Sequence, residues 1–427
     1  MNRRYFIQSS LMAATLSKRL VAASDKVNLA LMGVRGRGRS LAQDFGELPD
    51  VNIPYLCDID QNVFGPAAKI VEDKKGVRPQ LIGDIRRALD DKNVDAIVIA
   101  TPDHWHAPAT ILGCQAGKDV YVEKPCSHNL KEGRLMVEAA RRYQRVVQHG
   151  TGYRSYPSFI RSVEAVRLGK IGKALAAKAW DVQIREDIGH KEDSAAPAGV
   201  DFDTWTGPAP MLPFNKNRFH YNWHWHWNYG TGDAGNDGVH QIDVARWALG
   251  VEEPLEVSGM GRKLYFDDDQ KTPDTVNVTF DYKDKTLVFE MRIWNPYGME
   301  GQQNGVAIYG SDGVMHIGRW PSEKGGRKHG YRIYDRQHKL AFEDCEYEDQ
   351  NWHARNFIDC IRSRKAPNAE IAIGHTSTLH AHLANIVVRT GQPLKFDANL
   401  ETIFGNEPAQ KLLGREYRPH WATPKTT

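Results

Sequence analysis

Cysteine is scarce in this sequence, and no two cysteines have the spacing of a metal or redox motif. The 427 residues contain five cysteines, at positions 57, 114, 126, 345 and 360, and none of them forms a CxxC pair. A small odd number of widely spaced cysteines excludes a disulfide-rich scaffold and a zinc ribbon.

Long apolar runs and an excess of one charge are also absent. No run of eighteen apolar residues occurs, which excludes a polytopic membrane protein. Lys and Arg number 56 against 53 Asp and Glu, so the formal charge of +3 is too balanced for a nucleic-acid-binding surface. With 41% hydrophobic and 26% charged residues, the composition is typical of a soluble globular chain, and its length predicts two or three domains.

The first 23 residues have the features of a twin-arginine export signal. Residues 3–7 read Arg-Arg-Tyr-Phe-Ile, a weakly apolar stretch follows, and the small residues at 21–23 suit a cleavage site. The alternative is a basic N-terminus without an export function. We favour export, which predicts a mature chain that begins near Ser24, lies in the periplasm or elsewhere outside the cytoplasm, and has no membrane span.

Residues 24–150 are predicted to form a Rossmann-type α/β domain. Short apolar runs alternate there with helical patterns, which is typical of a parallel sheet covered by helices on both faces. The predicted strands are 27–32, 51–58, 95–100, 119–122 and 146–148, and the predicted helices include 39–48, 107–116 and 129–142.

Residues 151–427 are predicted to form a second, α+β domain with an open, mostly antiparallel sheet. Turn sequences at 282–285 and 311–313 predict hairpins between strands of alternating hydrophobicity. The predicted strands are 174–184, 255–264, 275–282, 286–294, 305–309, 314–317 and 331–334, and the predicted helices are 158–168, 239–249, 352–364 and 376–389.

A glycine-rich turn follows the first predicted strand and begins a helix. Backbone N–H groups and the helix dipole can bind a pyrophosphate at such a place. The second strand ends in an acid that can bind the ribose hydroxyls, which favours NAD over NADP, although Arg37 and Arg39 keep NADP open. The alternative is an α/β domain that binds no phosphate. The residues predicted to bind the dinucleotide here are Gly33, Arg35 (at the middle glycine position of GxGxxG), Gly36, Arg37, Gly38 and Asp58.

Three further segments accompany this turn. They are Thr-Pro-Asp-His-Trp-His at 101–106, Glu-Lys-Pro at 123–125, and Gly-Asn-Asp-Gly-Val-His-Gln-Ile-Asp at 235–243. Together they resemble the Gfo/Idh/MocA family of NAD(P)-dependent oxidoreductases, which includes glucose-fructose oxidoreductase and inositol dehydrogenase. The resemblance covers nearly all of residues 26–420. It implies a Rossmann domain followed by an open sheet that also supports homo-oligomer contacts.

The resemblance also implies roles for individual residues. Lys124 corresponds to the active-site lysine near the nicotinamide and the reacting hydroxyl, and His240 corresponds to the catalytic histidine. Family dehydrogenases usually carry Asp four residues before that histidine, where this chain has Asn236, which cannot take or give a proton. Asp237 is expected to point away from this relay and to contact substrate. The residues implied to line the cofactor are Thr101, Pro102, His106, Glu123 and Lys124.

The chemistry of these residue types agrees with the resemblance. Hydride removal from a secondary alcohol needs a group that accepts the hydroxyl proton, and lysine and histidine can both do so. Taken singly, each residue has a structural interpretation that is as good as the catalytic one. Lys124 could be a surface lysine before a turn, and His240 could be a histidine at a helix N-terminus that is hydrogen-bonded to the backbone. Their joint occurrence in order, after matching elements, favours the catalytic interpretation.

An aromatic segment at 220–229 reads His-Tyr-Asn-Trp-His-Trp-His-Trp-Asn-Tyr. If it is extended, three tryptophans share one face, suited to stacking on a pyranose, and Asn222, His224 and His226 share the other. Packing of the tryptophans on the core is an equal alternative. A metal site needs a third ligand that the segment does not supply, so none is predicted. The predicted substrate-binding residues are Trp223, His224, His226, Asp237 and His240.

Three functions are compatible with this reading. The first is an oxidoreductase that acts on a secondary hydroxyl of a sugar, cyclitol or glycoside. The second is a redox-neutral enzyme that oxidises a ring hydroxyl, cleaves a glycosidic bond by elimination and returns the hydride. The third is a sugar or nucleotide sensor without catalysis. Because NAD is not freely available outside the cytoplasm, export predicts a tightly bound cofactor.

Overall fold

The computed structural model describes residues 26–322, 326–347 and 351–419. The predicted export signal therefore lies outside the described residues, and it stays a prediction. Within the described part of the chain, no helix combines the length and the apolar character needed to cross a bilayer.

Six described strands form a parallel sheet in the order β3-β2-β1-β4-β5-β6. The strand order reverses at β1 and β4, and in such sheets ligands bind at the carboxyl ends of the strands beside this switch point. The strands are β1 (Val27–Met32), β2 (Val51–Cys57), β3 (Gln80–Ile82), β4 (Ala96–Ile99), β5 (Asp119–Val122) and β6 (Val147–His149). The helices are α1 (Gly36–Glu47), α2 (Phe64–Lys75), α3 (Arg86–Leu89), α4 (His106–Gln115) and α5 (Leu130–Arg142).

Helices cover both faces of this sheet, which explains why its central strands are apolar throughout. Every residue of β4 and β5 is buried, as expected for a parallel sheet between two helical layers. On one face, Phe45 of α1 packs with the core that contains Leu29. On the other, Met136 of α5 packs with Ile97. The Rossmann prediction is confirmed.

The second sheet contains ten described strands in the order β14-β13-β12-β11-β7-β10-β9-β8-β15-β16, and only β7 and β10 run parallel. The predicted open, mostly antiparallel sheet is thus confirmed. Its strands are β7 (Ala174–Val182), β8 (Glu256–Arg262), β9 (Thr275–Asp281), β10 (Thr286–Arg292), β11 (Asn304–Gly310), β12 (Gly313–Pro321), β13 (Arg327–Asp335), β14 (Leu340–Glu346), β15 (Leu394–Asp397) and β16 (Thr402–Phe404).

One face of this sheet, here called the inner face, is covered by helices. Alternate residues of the strands, such as Ala179, Met291 and Ile317, form one core there with Ile242 and Leu383 of the helices. The helices beyond residue 150 are α6 (Pro157–Arg167), α7 (Phe202–Thr206), α8 (Gly232–Asn236), α9 (Gly238–Leu249), α10 (Asn351–Ser363), α11 (Ile371–Thr390) and α12 (Glu407–Lys411).

Helix α10 returns from the second sheet to the first. Its Phe357 packs edge-on against Phe45 and Tyr121, with ring centroids 6.2 and 5.8 Å apart. His353 on the same helix lies 2.8 Å from both the Ser155 hydroxyl and the His149 carbonyl oxygen. This helix therefore ties the two sheets together.

Candidate active site

The glycine turn has the geometry of a pyrophosphate site. Gly33 has φ +84°, and a Cβ there would lie 2.5 Å from the Ala100 carbonyl oxygen. A Cβ on Gly38 would lie 1.9 Å from the Gly33 carbonyl oxygen, whereas a Cβ on Gly36 would meet no atom within 4 Å. The N-cap residue Arg35 makes no side-chain capping bond, and the first turn of α1 carries no acid. The helix N-terminus is thus left to an anion, which fits a dinucleotide.

Asp58 lies beside this turn, directly after β2. Its carboxylate accepts hydrogen bonds from the Val34 N–H (2.8 Å) and the Asp60 N–H (3.0 Å). Arg37 donates from Nε to Glu123 Oε1 at 2.7 Å. Arg37 is thus paired on the side of β5, whereas Arg39, the other arginine considered for a 2′-phosphate, is exposed.

The loops after β4 and β5 are joined by His106. Its Nδ1 lies 2.6 Å from the Pro125 carbonyl oxygen and its Nε2 lies 2.9 Å from that of Thr101. With 1% of its surface exposed, His106 supports the loops and does not line an open surface. Thr101 Oγ1, by contrast, is buried with no hydrogen-bond partner among the described residues. This atom, close to Pro102, fits the nicotinamide end of a dinucleotide.

Lys124 connects the two domains. Its ammonium donates to the carbonyl oxygen of Asn236 (2.6 Å) and to the Oδ1 of the same residue (2.8 Å). The Asn236 Nδ2 in turn donates to Asp233 Oδ1 at 3.1 Å. The asparagine is therefore a bridge, with its oxygen toward a cation and its amide nitrogen toward a carboxylate.

Asp237 is linked to this network through Arg185. Its carboxylate makes no hydrogen bond or ion pair with Lys124 or His240 among the described residues, so the expectation that it lies outside their relay stays a prediction. Its Oδ2 accepts from Gln183 Nε2 at 2.6 Å, and Arg185 pairs with both Asp237 and Asp233. Burial opposes the charge of Asp237, but Lys124 and Arg185 hold its pKa well below the ordinary value. Asp237 is accordingly a carboxylate at neutral pH.

His240 lies one helical turn after Asp237 on α9. Burial, and then the charge of Lys124, lower the pKa of His240 to about 4. Its Nδ1 has no hydrogen-bond partner among the described residues. The imidazole is therefore neutral at neutral pH and can accept a proton.

Glu123, the residue before Lys124, supplies a negative charge close to the ammonium of Lys124 and the guanidinium of Arg37. This side chain is buried, with 4% of its surface exposed. Burial opposes its charge, but Arg37 and then Lys124 lower the pKa of Glu123 to about 2. A fixed carboxylate is thus available to balance the cations at this edge of the sheet.

The aromatic segment is not extended, so the prediction that its three tryptophans share one face is wrong. Residues His220–Trp225 form a 3-10 helix. Trp225 is buried and donates to Asp233 Oδ2 at 2.8 Å, and Trp227 lies against Arg389. An alternation with a period of two does not place residues on one face of a 3-10 helix, which has three residues per turn.

The histidines of this segment separate accordingly. His224 stacks on Trp223 with ring centroids 3.6 Å apart. Burial and the nearby Lys124 lower its pKa to about 4 against the effect of its bond to the Tyr221 carbonyl oxygen. His226 is buried, and it interacts with the backbone of Asn217. Of His224 and His226, His224 is therefore the one whose pKa the charge of Lys124 affects.

Several residues of the site belong to no motif that the sequence displayed. Asp181, at the end of β7, places a carboxylate within 4.8 Å of those of Asp233 and Asp237. Its Oδ2 is buried and has no hydrogen-bond partner within the described ranges. Gln183 and Arg185 follow in the same loop. Their spacing of two residues after a strand could have indicated side chains on one face, but Gln and Arg there match no catalytic or binding motif.

We expect Asp181→Asn to raise the free energy of unfolding relative to the wild type, by an amount that grows as the pH rises. Burial, followed by the charges of Asp237 and Asp233, raises the pKa of Asp181 well above 3.8. The folded protein therefore keeps a proton that the unfolded chain releases above that value, so stability falls with pH by up to about 1.4 kcal/mol per unit. An amide at this position does not titrate and so removes this loss, and denaturant unfolding at pH 5 to 8 measures it.

Asp243→Asn is the matched control. Asp243 is equally buried, but it receives Arg154 Nε at 2.9 Å, and despite burial this arginine lowers its pKa. Neutralising Asp243 should destabilise the protein at neutral pH. If the difference in the free energy of unfolding between Asp181→Asn and the wild type does not change with pH, Asp181 is not protonated in the folded protein.

We expect Asn236→Asp to lower turnover, although it restores the usual carboxylate of the family. The new carboxylate would lie where the Asn236 amide now meets Asp233 at 3.1 Å. Two carboxylates at that distance repel each other, and the hydrogen bond from the Asn236 amide to Asp233 is lost. We expect turnover to fall about 10- to 100-fold as a result. Steady-state kinetics measures the change. The double variant Asn236→Asp/Asp233→Asn again has one carboxylate and one amide at these two positions. If its turnover is as low as that of Asn236→Asp, repulsion is not the cause.

Two family profiles match the chain, and both describe Gfo/Idh/MocA proteins. The profile of the oxidoreductase family NAD-binding Rossmann fold matches residues 27–151. The profile of the oxidoreductase family C-terminal alpha/beta domain matches residues 179–423. The family predicted from the motifs is thus confirmed over both domains.

Curated relatives match over a shorter stretch. A glycosyl hydrolase family 109 protein of Shewanella putrefaciens is 29% identical over 183 residues, which is 40% of this chain and 39% of that protein. An alpha-N-acetylgalactosaminidase of Shewanella oneidensis is 27% identical over 181 residues, 39% and 38% of the two chains. The match therefore spans about two fifths of the length of these relatives.

Solved structures share the whole fold at low identity. The aldose-aldose oxidoreductase from Caulobacter crescentus, complexed with glycerol, has a TM-score of 0.66 and 17% identity, covering 87% of this chain and 100% of that one. The WlbA dehydrogenase from Bordetella pertussis, in complex with NADH and UDP-GlcNAcA, has a TM-score of 0.64 and 18% identity, covering 87% and 99%. Together with the two profiles, these similarities show that the chain is an enzyme of the Gfo/Idh/MocA oxidoreductase family, with its NAD-binding Rossmann fold.

Proposed function

We propose that this protein oxidises a secondary hydroxyl of a carbohydrate, with NAD bound at the glycine turn. The observation that carries the proposal is the grouping of Lys124, Asn236, Asp237 and His240 beyond the carboxyl end of β5, where Lys124 is bonded to Asn236 and the charges of Lys124 and Asp237 act on His240. It combines a fixed cation with a neutral imidazole. This pair can stabilise an alkoxide and accept its proton, which is what alcohol oxidation requires.

Each residue has a distinct task in this reaction. NAD, when bound, supplies the acceptor for the hydride that leaves the substrate carbon. An ammonium has three N–H donors, and Lys124 uses two of them on Asn236, so one is left for the substrate oxygen. The hydroxyl proton passes to neutral His240, and the C–O bond becomes a carbonyl. Asp237 favours the protonated form of His240.

We further propose NAD over NADP, and a cofactor that stays bound. The carboxylate of Asp58 borders the glycine turn, where it can bind ribose hydroxyls and repel a 2′-phosphate. Arg37, which could have offset this repulsion, is paired with Glu123. Tight binding follows from the predicted export, since an enzyme outside the cytoplasm has no pool of free NAD.

A redox-neutral glycosidase is the second candidate. Two observations favour it: relatives named as glycosyl hydrolase family 109 proteins and alpha-N-acetylgalactosaminidase, and Asn236 in place of the usual aspartate. Here the carbonyl formed by oxidation acidifies the neighbouring C–H. Loss of that proton and of the glycosidic oxygen cleaves the bond, water adds to the resulting double bond, and the same hydride returns to the carbonyl carbon.

We also propose a homo-oligomer that forms through the open sheet. On the face of the sheet opposite to the inner face, Met260 and Tyr309 expose 61% and 39% of their surfaces. Exposed apolar side chains on one sheet face are typical of a contact surface between subunits. Light scattering coupled to size-exclusion chromatography measures the mass, and a monomer at micromolar concentration would contradict the proposal.

Product analysis separates the two reactions. The purified protein is incubated with excess NAD and a panel of free sugars and aryl glycosides, and reduced nicotinamide and released phenol are both measured. Reduced nicotinamide that forms and persists, at up to one equivalent per chain because the cofactor stays bound, supports the oxidoreductase. Phenol release without it supports the redox-neutral glycosidase. Neither signal, from a protein that binds NAD, would contradict both proposals.

A further inference from the structure

Arg319 is a cation without a counter-ion on the inner face of the second sheet. It follows Met315 and Ile317 at alternate positions of β12, and both of these residues belong to the inner core. The side chain is half-buried. Within residues 26–322, 326–347 and 351–419, its guanidinium makes no hydrogen bond or ion pair, and its contact is the ring of Tyr153, whose centroid lies 6.0 Å away.

Tyr153 places this cation close to the candidate reaction centre. The centroid of the same tyrosine ring lies 5.4 Å from that of His240. The charge of Arg319 also reaches the histidine, where it adds to the effects of burial and Lys124 in lowering the pKa. Arg319 and His240 thus both contact the side chain of Tyr153. A sugar ring placed beside Tyr153 can contact Arg319 and His240 at the same time.

Apart from Asp181, whose Oδ2 has no hydrogen-bond partner among the described residues, the carboxylates around this region pair with other cations. Asp344, on β14, pairs with Arg161 at 2.7 Å. On the other side of Tyr153, Asp237 and Asp233 pair with Arg185. The N–H donors of a half-buried guanidinium that have no partner in the protein are available to a bound anion. The missing partner of Arg319 is therefore expected from a bound molecule.

We propose that the substrate carries an anionic substituent, a carboxylate or a sulfate ester, that pairs with Arg319 while its reacting hydroxyl lies at His240. The planar guanidinium offers two parallel N–H donors that match the oxygens of either group. The substrate class would then be acidic sugars, such as uronic acids and their glycosides. This inference rests on the proposed function and names its substrate.

Matched ligands test the proposal. Methyl glycosides of glucose, galactose and mannose are each used in three forms: neutral, oxidised to the uronate, and sulfated at the C6 oxygen. Binding to the NAD-loaded protein is measured by calorimetry, and hydride transfer is measured by reduced-nicotinamide absorbance. We expect an anionic form to bind about 10- to 100-fold more tightly than its neutral parent, the range of a charge-assisted hydrogen-bonded pair. The uronate and sulfate arms identify which anion is preferred.

Arg319→Met is the informative variant, because it keeps much of the apolar stem and removes the charge. It should reduce the preference for the anionic form, measured as the ratio of the dissociation constants of the neutral and anionic forms in the same variant, to about 1. Arg332→Met is the control. Arg332 is also half-buried, one strand away, but it stacks on Trp320 at 4.7 Å and pairs with Glu343. Its replacement should keep the preference intact.

The outcomes separate this inference from the function on which it rests. Hydride transfer from neutral sugars, with no preference for the anionic forms, would overturn the role of Arg319 and leave the oxidoreductase standing. A preference that survives Arg319→Met would overturn it as well. Binding of no sugar in any form would overturn the proposed function together with the inference.

Discussion

Lys124→Met should lower turnover by about 10²- to 10⁴-fold, the range for loss of a group that assists proton transfer. The reason is the position of the ammonium, which is held at 2.6 and 2.8 Å by the two oxygens of Asn236. Methionine fills a similar volume but cannot donate to the substrate oxygen. Nucleotide binding should persist, because the glycine turn and Asp58 make no contact with this side chain. Steady-state kinetics and calorimetry with NAD measure the two properties.

Lys118→Met is the matched control for this variant. Lys118 immediately precedes β5, whereas Lys124 follows it, and its ammonium donates to the carbonyl oxygens of Asp91 (2.7 Å) and Val94 (2.8 Å). Its loss should destabilise the fold and leave the turnover of the folded protein unchanged. Lys124→Met with wild-type turnover would remove Lys124 from the reaction.

His240→Gln should lower turnover by a similar factor, about 10²- to 10⁴-fold, because glutamine cannot accept the hydroxyl proton. His380→Gln is the control: His380 is buried between the Tyr282 hydroxyl (2.6 Å) and the Thr376 carbonyl oxygen (2.7 Å). That change should reduce stability and leave the turnover of the folded enzyme intact. Equal activity of both variants would contradict the assignment of His240 as the base.

The pH profile of the wild type tests the same assignment. A base must be unprotonated, so activity is lost as the pH falls through its pKa. Since burial and then Lys124 lower the pKa of His240 to about 4, kcat/KM at pH 5 should be close to its value at pH 7. A histidine with an ordinary pKa near 6.5 would leave about one-thirtieth of the activity at pH 5. Circular dichroism at each pH identifies the range in which the protein remains folded.

Much of the fold follows from sequence patterns because the patterns are physically unambiguous. The short, β-branched apolar run of β4 favours a strand buried on both faces, and all four of its residues are buried. The glycine turn is equally readable, since Gly33 and Gly38 leave no room for a Cβ. β14 and the short β3, β15 and β16 were not predicted. The three short strands have only three or four residues, which carry too little periodicity.

The candidate site was predictable only where a motif marks it. Lys124, Asn236 and His240 lie in motifs, and the structure places Lys124 and Asn236 in direct contact. Arg319 and Asp181 come from separate strands of the second sheet, and their proximity to the site depends on the sheet order. Sequence spacing does not contain that order. The aromatic segment failed for the opposite reason: its alternation was regular, but the backbone there turns into a 3-10 helix.

The most direct test of the central claim is a single-turnover measurement on the purified, NAD-loaded protein. A sugar accepted as substrate is mixed with the enzyme in the absence of free NAD, and the absorbance of reduced nicotinamide is followed. We predict a rise of no more than one equivalent per chain in the wild type, and a rise at least about 10²-fold slower in Lys124→Met with the same nucleotide content. An equal rate in the two proteins, or no rise with any sugar, would contradict hydride transfer assisted by Lys124.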